Sequence, residues 1–92
     1  MKLVINRCIG GSFRLPSKFC ERYGLDTHDD IDRTDERLIS YVEENGGEVE
    51  REDSFLHVVE IPDNATDWKL DDYCGIEEIT YVVDGKIYYA PN

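Results

Sequence analysis

Residues 76–89, Ile76-Glu77-Glu78-Ile79-Thr80-Tyr81-Val82-Val83-Asp84-Gly85-Lys86-Ile87-Tyr88-Tyr89, place two β-branched and aromatic runs on either side of an Asp-Gly pair. A two-residue type I′ turn needs positive φ at both central positions, which Asp-Gly supplies at low steric cost, so the run reads as a β-hairpin. The two-residue loop sets the register: Val82 opposite Ile87, Tyr81 opposite Tyr88 and Thr80 opposite Tyr89.

Working toward the N-terminus, Trp68–Tyr73 is a further β-rich run joined to Ile76–Val83 through Cys74-Gly75, which makes a second hairpin. Ser54–Ile61 alternates as a strand and is stopped by Pro62-Asp63-Asn64. Leu38, Ile39 and Val42 recur at helical spacing behind a Thr34 or Asp35 cap, with Asp35 and Glu36 at the positive end of the dipole and Asn45-Gly46-Gly47 as the stop. Glu48–Asp53 reads as a charged connector and Leu25–Thr34 as an acidic loop. Ser17 is the expected N-cap of a short helix closed by Gly24, with Phe19, Cys20 and Tyr23 on one face. Lys2–Ile9 is an almost continuously apolar run ended by Gly10-Gly11, the pattern of an interior strand. The expectation is one α+β domain over residues 1–92: two helices packed on a mostly antiparallel sheet of about five strands, in the order β-α-α-β-β-β-β.

Composition bounds the function. The chain has 92 residues, 40% hydrophobic and 34% charged, with formal net charge −11. Residues 1–25 carry a net +4 and the remaining 67 carry −15. A protein that binds duplex nucleic acid or an anionic membrane carries a basic footprint, so neither is expected here. A partner protein with a basic surface is expected instead. No apolar run reaches the roughly 18 residues of a membrane span, and Met1–Arg7 does not have the length of a signal peptide. The three cysteines, Cys8, Cys20 and Cys74, lack metal-finger spacing and leave one over from any disulfide framework, which fits a reducing, cytoplasmic setting. A chain of this size buries only about 60% of its unfolded surface, so homo-oligomer formation is an expectation from size.

Two stretches could carry chemistry. In the first, a strand carrying Arg7 runs into Gly10 and Gly11 and then, past Ser12, Phe13 and Arg14, to a helix start at Ser17. Glycines admit backbone N–H groups to an anion and the helix end adds partial positive charge, so this loop could hold a nucleotide phosphate while Phe13 stacks its base. It lacks P-loop spacing. The second is acidic: Asp29, Asp30 and Asp32 in the loop, and Asp71, Asp72, Glu77 and Glu78 around the hairpins, with Tyr81 and Tyr88 beside them as an aromatic-acidic protein-binding face. Asp26–Asp32 lacks the glycine and terminal glutamate of a calcium loop, so no metal or other cofactor is expected. His28 and His57 are not placed beside a nucleophile by any motif, and no catalytic residues are assigned.

Val4-Ile5-Asn6-Arg7-Cys8 with Gly10-Gly11-Ser12-Phe13 resembles the opening of a family of small uncharacterised phage and prophage proteins that begin with a V-I-N-R-C-x-G-G-F-x-L-S type motif. Asp32-Arg33-Thr34-Asp35, Val59-Glu60-Ile61-Pro62-Asp63 and Trp68–Gly75 extend the resemblance over about residues 1–78. Ser12, Pro16 and the ending Asp84–Asn92 depart from the pattern. Small acidic phage proteins often block a host protein, including defence and nucleic-acid-handling enzymes. The resemblance therefore implies a non-enzymatic inhibitor, working in the bacterial cytoplasm through its acidic surface. The alternative from the residues is a small-molecule binder that sequesters a phosphate-bearing nucleotide signal at the Arg7–Ser17 loop.

Overall fold

The computed structural model describes residues 1–45 and 54–91; the expected Gly46-Gly47 stop and the Glu48–Asp53 connector lie outside them. The chain is an α+β domain with the order β-α-α-β-β-β-β: β1 (Lys2–Asn6), α1 (Ser17–Tyr23), α2 (Glu36–Asn45), β2 (Leu56–Glu60), β3 (Asp67–Tyr73), β4 (Ile76–Val83) and β5 (Lys86–Ala90). All strand pairs are antiparallel. Among the described residues the five strands divide between two sheets, a β1–β2 ribbon and a β3–β4–β5 sheet, connected by an isolated bridge between Arg7 and Ile76.

This division produces three layers. Val4 and Leu56 face the helices and pack with Leu15, Phe19, Cys20, Leu38, Ile39 and Val42. Leu3, Ile5, Val59 and Ile61 face the other way, onto Ile79 and Ala90 of the larger sheet. The ribbon is thus the middle layer, which is why Leu3, Val4, Ile5 and Asn6 are all fully buried and why β1 has no polar-out alternation. Its interior position is set by layering rather than by a strand on each side. On its free edge the backbone is satisfied otherwise: Val4 N–H donates to the Arg33 carbonyl (2.9 Å) and Asn6 N–H to Glu77 Oε1 (2.6 Å).

Local chemistry explains the element ends. Asp35 caps α2, its Oδ1 accepting the backbone N–H groups of Arg37 (2.9 Å) and Leu38 (3.4 Å). Pro16 rather than Ser17 stands at the N-cap of α1; its fixed φ of −62° suits helix entry, and Ser17 is the first helical residue. Gly24 closes α1 in the left-handed conformation with φ 67°. Asp84 (φ 52°) and Gly85 (φ 76°) form the two-residue turn, and the pairs Val82–Ile87, Tyr81–Tyr88 and Thr80–Tyr89 have the expected register. Gly75 is the tightest point. A Cβ there would lie 2.5 Å from both the Cys8 and Gly11 carbonyl oxygens, so the β3–β4 turn and the loop after β1 touch backbone to backbone. Among the described residues no helix is long and apolar enough to cross a membrane.

Candidate functional site

The glycine loop is placed by that close approach. Gly10 N–H donates to the Cys74 carbonyl (2.6 Å) and Gly11 N–H to the Cys8 carbonyl (3.0 Å). Arg7 donates to the Glu77 carbonyl (2.8 Å) and Arg14 to that of Phe13 (3.0 Å). The Phe13 ring is covered by the Arg33 guanidinium, 3.6 Å from its centroid. Ser12 is half-buried and Ser17 is exposed on a helix of seven residues. The Gly10 and Gly11 amides, one N–H of each arginine and one face of the Phe13 ring, groups a nucleotide phosphate and base would use, are thus engaged within the chain. The loop after β1 thus clasps β1 to the β3–β4 turn and the start of β4.

At the centre of this clasp is a polar junction that sequence reading did not assemble. Arg33 makes a two-pronged salt bridge to Glu77, with Nη1–Oε1 2.6 Å and Nη2–Oε2 2.9 Å. The two side chains are 20% and 5% exposed. Asn6, fully buried, donates to the Gly75 carbonyl (2.8 Å) and accepts from Phe55 N–H (2.8 Å). Among the described residues no buried side-chain polar atom is left unsatisfied, as a buried junction of this kind requires.

Glu77 therefore does not belong to an outward binding face. Its carboxylate is turned inward because alternation along β4 puts residue 77 on the same face as Ile79, and Arg33 neutralises it there. The proposed aromatic-acidic patch is also divided by the pleat. Tyr81 and Tyr88, stacked with centroids 5.6 Å apart and planes 20° apart, lie on the Ile79 face, as does Asp72. Asp71 and Glu78 pair on the opposite face. Asp71 accepts from the Thr80 hydroxyl (2.7 Å) and sits 3.8 Å from Lys69 Nζ, while Asp72 accepts from Gly75 N–H (2.9 Å).

The acidic loop is the part that stays outside. Asp26, Asp29, Asp30 and Asp32 are all exposed. Asp26 accepts from His28 N–H (2.9 Å), and the backbone and ring of His28 hold its carboxyl below the usual carboxylate range. Asp29 accepts from Asp26 N–H (2.8 Å), which makes the loop a series of short turns. Among the described residues no cation pairs with Asp29, Asp30 or Asp32, and no three His, Cys, Asp or Glu side chains converge as metal ligands. Cys20 is buried, Cys8 half-buried and Cys74 exposed, and none is in a disulfide. His57, its ring tilted against Phe55 with centroids 4.4 Å apart, is held below the ordinary histidine value by desolvation and by nearby Arg7.

The outer face of the three-stranded sheet carries residues not singled out from sequence. Ile87 and Tyr89 are 63% and 54% exposed. With Val82, Thr80, Lys69 and Asp67 they line an open concavity of about 380 Å³. Strict alternation of Ile87, Tyr88 and Tyr89 was the available signal, since it puts Ile87 and Tyr89 on the face opposite Tyr88. Comparison with protein-family models, with curated proteins and with solved structures returns no match to this chain.

Proposed function

We propose that this chain is a non-enzymatic binding protein of phage type, which inhibits a host defence or nucleic-acid-handling protein by covering its basic surface. The observation that carries this reading is the allocation of charge. Arg33 is bound to Glu77, Arg37 to Asp35 and Lys2 to Glu43. Asp29, Asp30 and Asp32, by contrast, are exposed on one short loop with no cation of the described residues against them. Closely spaced carboxylates on a turn-rich loop imitate the repeating negative charge of a phosphate backbone, and a surface built to grip phosphates accepts them by the same electrostatics.

The test is a capture from bacterial lysate at low salt, repeated over a salt series, with wild type and the triple variant Asp29→Asn, Asp30→Asn, Asp32→Asn. Exposed charge pairs are screened within about 8 Å at physiological ionic strength, so binding of the captured basic protein should fall steeply with salt. The triple variant should bind it at least tenfold more weakly. Equal affinity at low and high salt, or an unaffected triple variant, refutes the proposal.

A further inference from the structure

We infer that β5 is a self-association edge, through which two copies of this chain join their three-stranded sheets into one of six strands. β5 is an outer strand of its sheet. The direction of its backbone groups follows from a bond on the far side of β4: the Val82 carbonyl accepts from Thr66 N–H (2.9 Å) and so points away from β5. Val82 is opposite Ile87, which makes that pair the non-hydrogen-bonded kind. The N–H and C=O of Ile87 therefore point outward, and so do those of Tyr89, two residues on.

Self-pairing in antiparallel sense has few registers to choose from. With the twofold axis at Tyr88, Ile87 pairs with the partner's Tyr89 and Tyr89 with the partner's Ile87, so all four outward groups of each copy are satisfied. With the axis at Tyr89, Ile87 would face the partner's Pro91, which has no N–H. With the axis at Ile87, Tyr89 would fall against the partner's Gly85 in the turn. Only the first register uses the whole edge. It also puts Tyr88 opposite the partner's Tyr88 at the close, non-hydrogen-bonded position. The stacked Tyr81–Tyr88 pair then becomes a row of four rings. On the outer face, exposed Ile87 covers the partner's exposed Tyr89, and the reverse.

Charge favours a second copy on this edge over a basic partner. From Ile79 to Pro91 the only charged residues are Asp84 and Lys86, in a chain of net charge −11. The opposite edge, β3, has Asp67, Lys69, Asp71 and Asp72 among seven residues, the usual defence of an edge strand against pairing. β5 has no charge between Lys86 and Pro91, which bound a bare window the length of the proposed ladder. An edge of five residues lies at the small end of specific interfaces, so dimerisation in the micromolar range is expected.

Sedimentation equilibrium from 1 to 300 μM tests this, with the wild type and two variants. Wild type should pass from a monomer of 10.7 kDa to a dimer. Raising salt should strengthen the dimer, because it screens repulsion between two acidic chains while leaving hydrogen bonds and ring contacts in place. Tyr89→Pro removes an outward N–H together with the ring that lies against the partner's Ile87, and Tyr88→Lys puts like charges face to face on the axis. Each should raise the dissociation constant at least tenfold, with circular dichroism confirming the fold. A wild type that stays monomeric throughout overturns the inference. So does a dimer that both folded variants preserve, or an open-ended polymer, which would mean β5 pairs with β3.

Discussion

Replacing Arg33 by Met should be among the most damaging single changes to this fold, and a second substitution should partly repair it. Met retains a long apolar stem to lie against Phe13 but removes the cation that balances Glu77, whose side chain is 5% exposed. Removing one partner of a buried, bidentate pair typically costs about 3–5 kcal/mol, because the remaining charge is left in a low dielectric. A domain of 92 residues has a total stability of about 5–14 kcal/mol at 0.05–0.15 kcal/mol per residue. The variant should therefore lose at least about a fifth of its margin. With a urea slope of about 1.5 kcal/mol/M, the unfolding midpoint should fall by about 2–3 M, followed by circular dichroism and by the fluorescence of Trp68. Adding Glu77→Gln removes the uncompensated charge while keeping an oxygen for the Asn6 N–H, which Glu77 now accepts at 2.6 Å. The double variant should regain about 1–3 kcal/mol over Arg33→Met. A loss below about 1 kcal/mol for the single variant, or a double variant no more stable than the single, would refute the account of this junction as a buried, charge-balanced clasp.

Gly75→Ala should destabilise more than Gly85→Ala. Both positions have positive φ, which costs an alanine about 1–2 kcal/mol, but only at Gly75 would the new Cβ meet backbone, 2.5 Å from the Cys8 and Gly11 carbonyls. Equal thermal midpoints for the two variants would contradict this. Asp35→Ala should cost about 1 kcal/mol through loss of the α2 cap. The Asp35 carboxyl is held below its ordinary value, chiefly by the Arg37 side chain and then by the backbone N–H groups of Arg37 and Leu38. Since the folded state favours the ionised form, this contribution is complete above the ordinary carboxyl range. It is lost as pH falls through about 3.9 toward the depressed value. Denaturant titrations should therefore show wild type and Asp35→Ala converging in acid; a constant difference down to pH 2.5 would remove the cap argument.

The local elements were legible because they depend on near neighbours. Asp84-Gly85 specified its own turn, and a two-residue loop leaves one register for Ile87, Tyr88 and Tyr89. Leu38, Ile39 and Val42 mark the buried stripe of α2 by spacing alone, and Gly24 marks the end of α1 by its left-handed conformation. What sequence could not supply is which charged residue goes inside. Glu77 and Glu78 are adjacent and chemically near-identical, yet the pleat turns one inward to Arg33, 44 positions away, and leaves the other outside. The same pleat separates Tyr88 from Tyr89. Likewise, Arg7, Gly10, Gly11 and Arg14 have the composition of an anion loop, but Gly10 N–H goes to the Cys74 carbonyl of the β3–β4 turn, Arg7 to the Glu77 carbonyl of β4, and Gly11 and Arg14 to carbonyls of their own loop. Periodicity and turn chemistry act over a few residues and can be read along the chain. The division into two sheets, the burial of the ribbon on both faces and the choice of ion-pair partners arise between segments distant in sequence, so they were decided only when the layers packed.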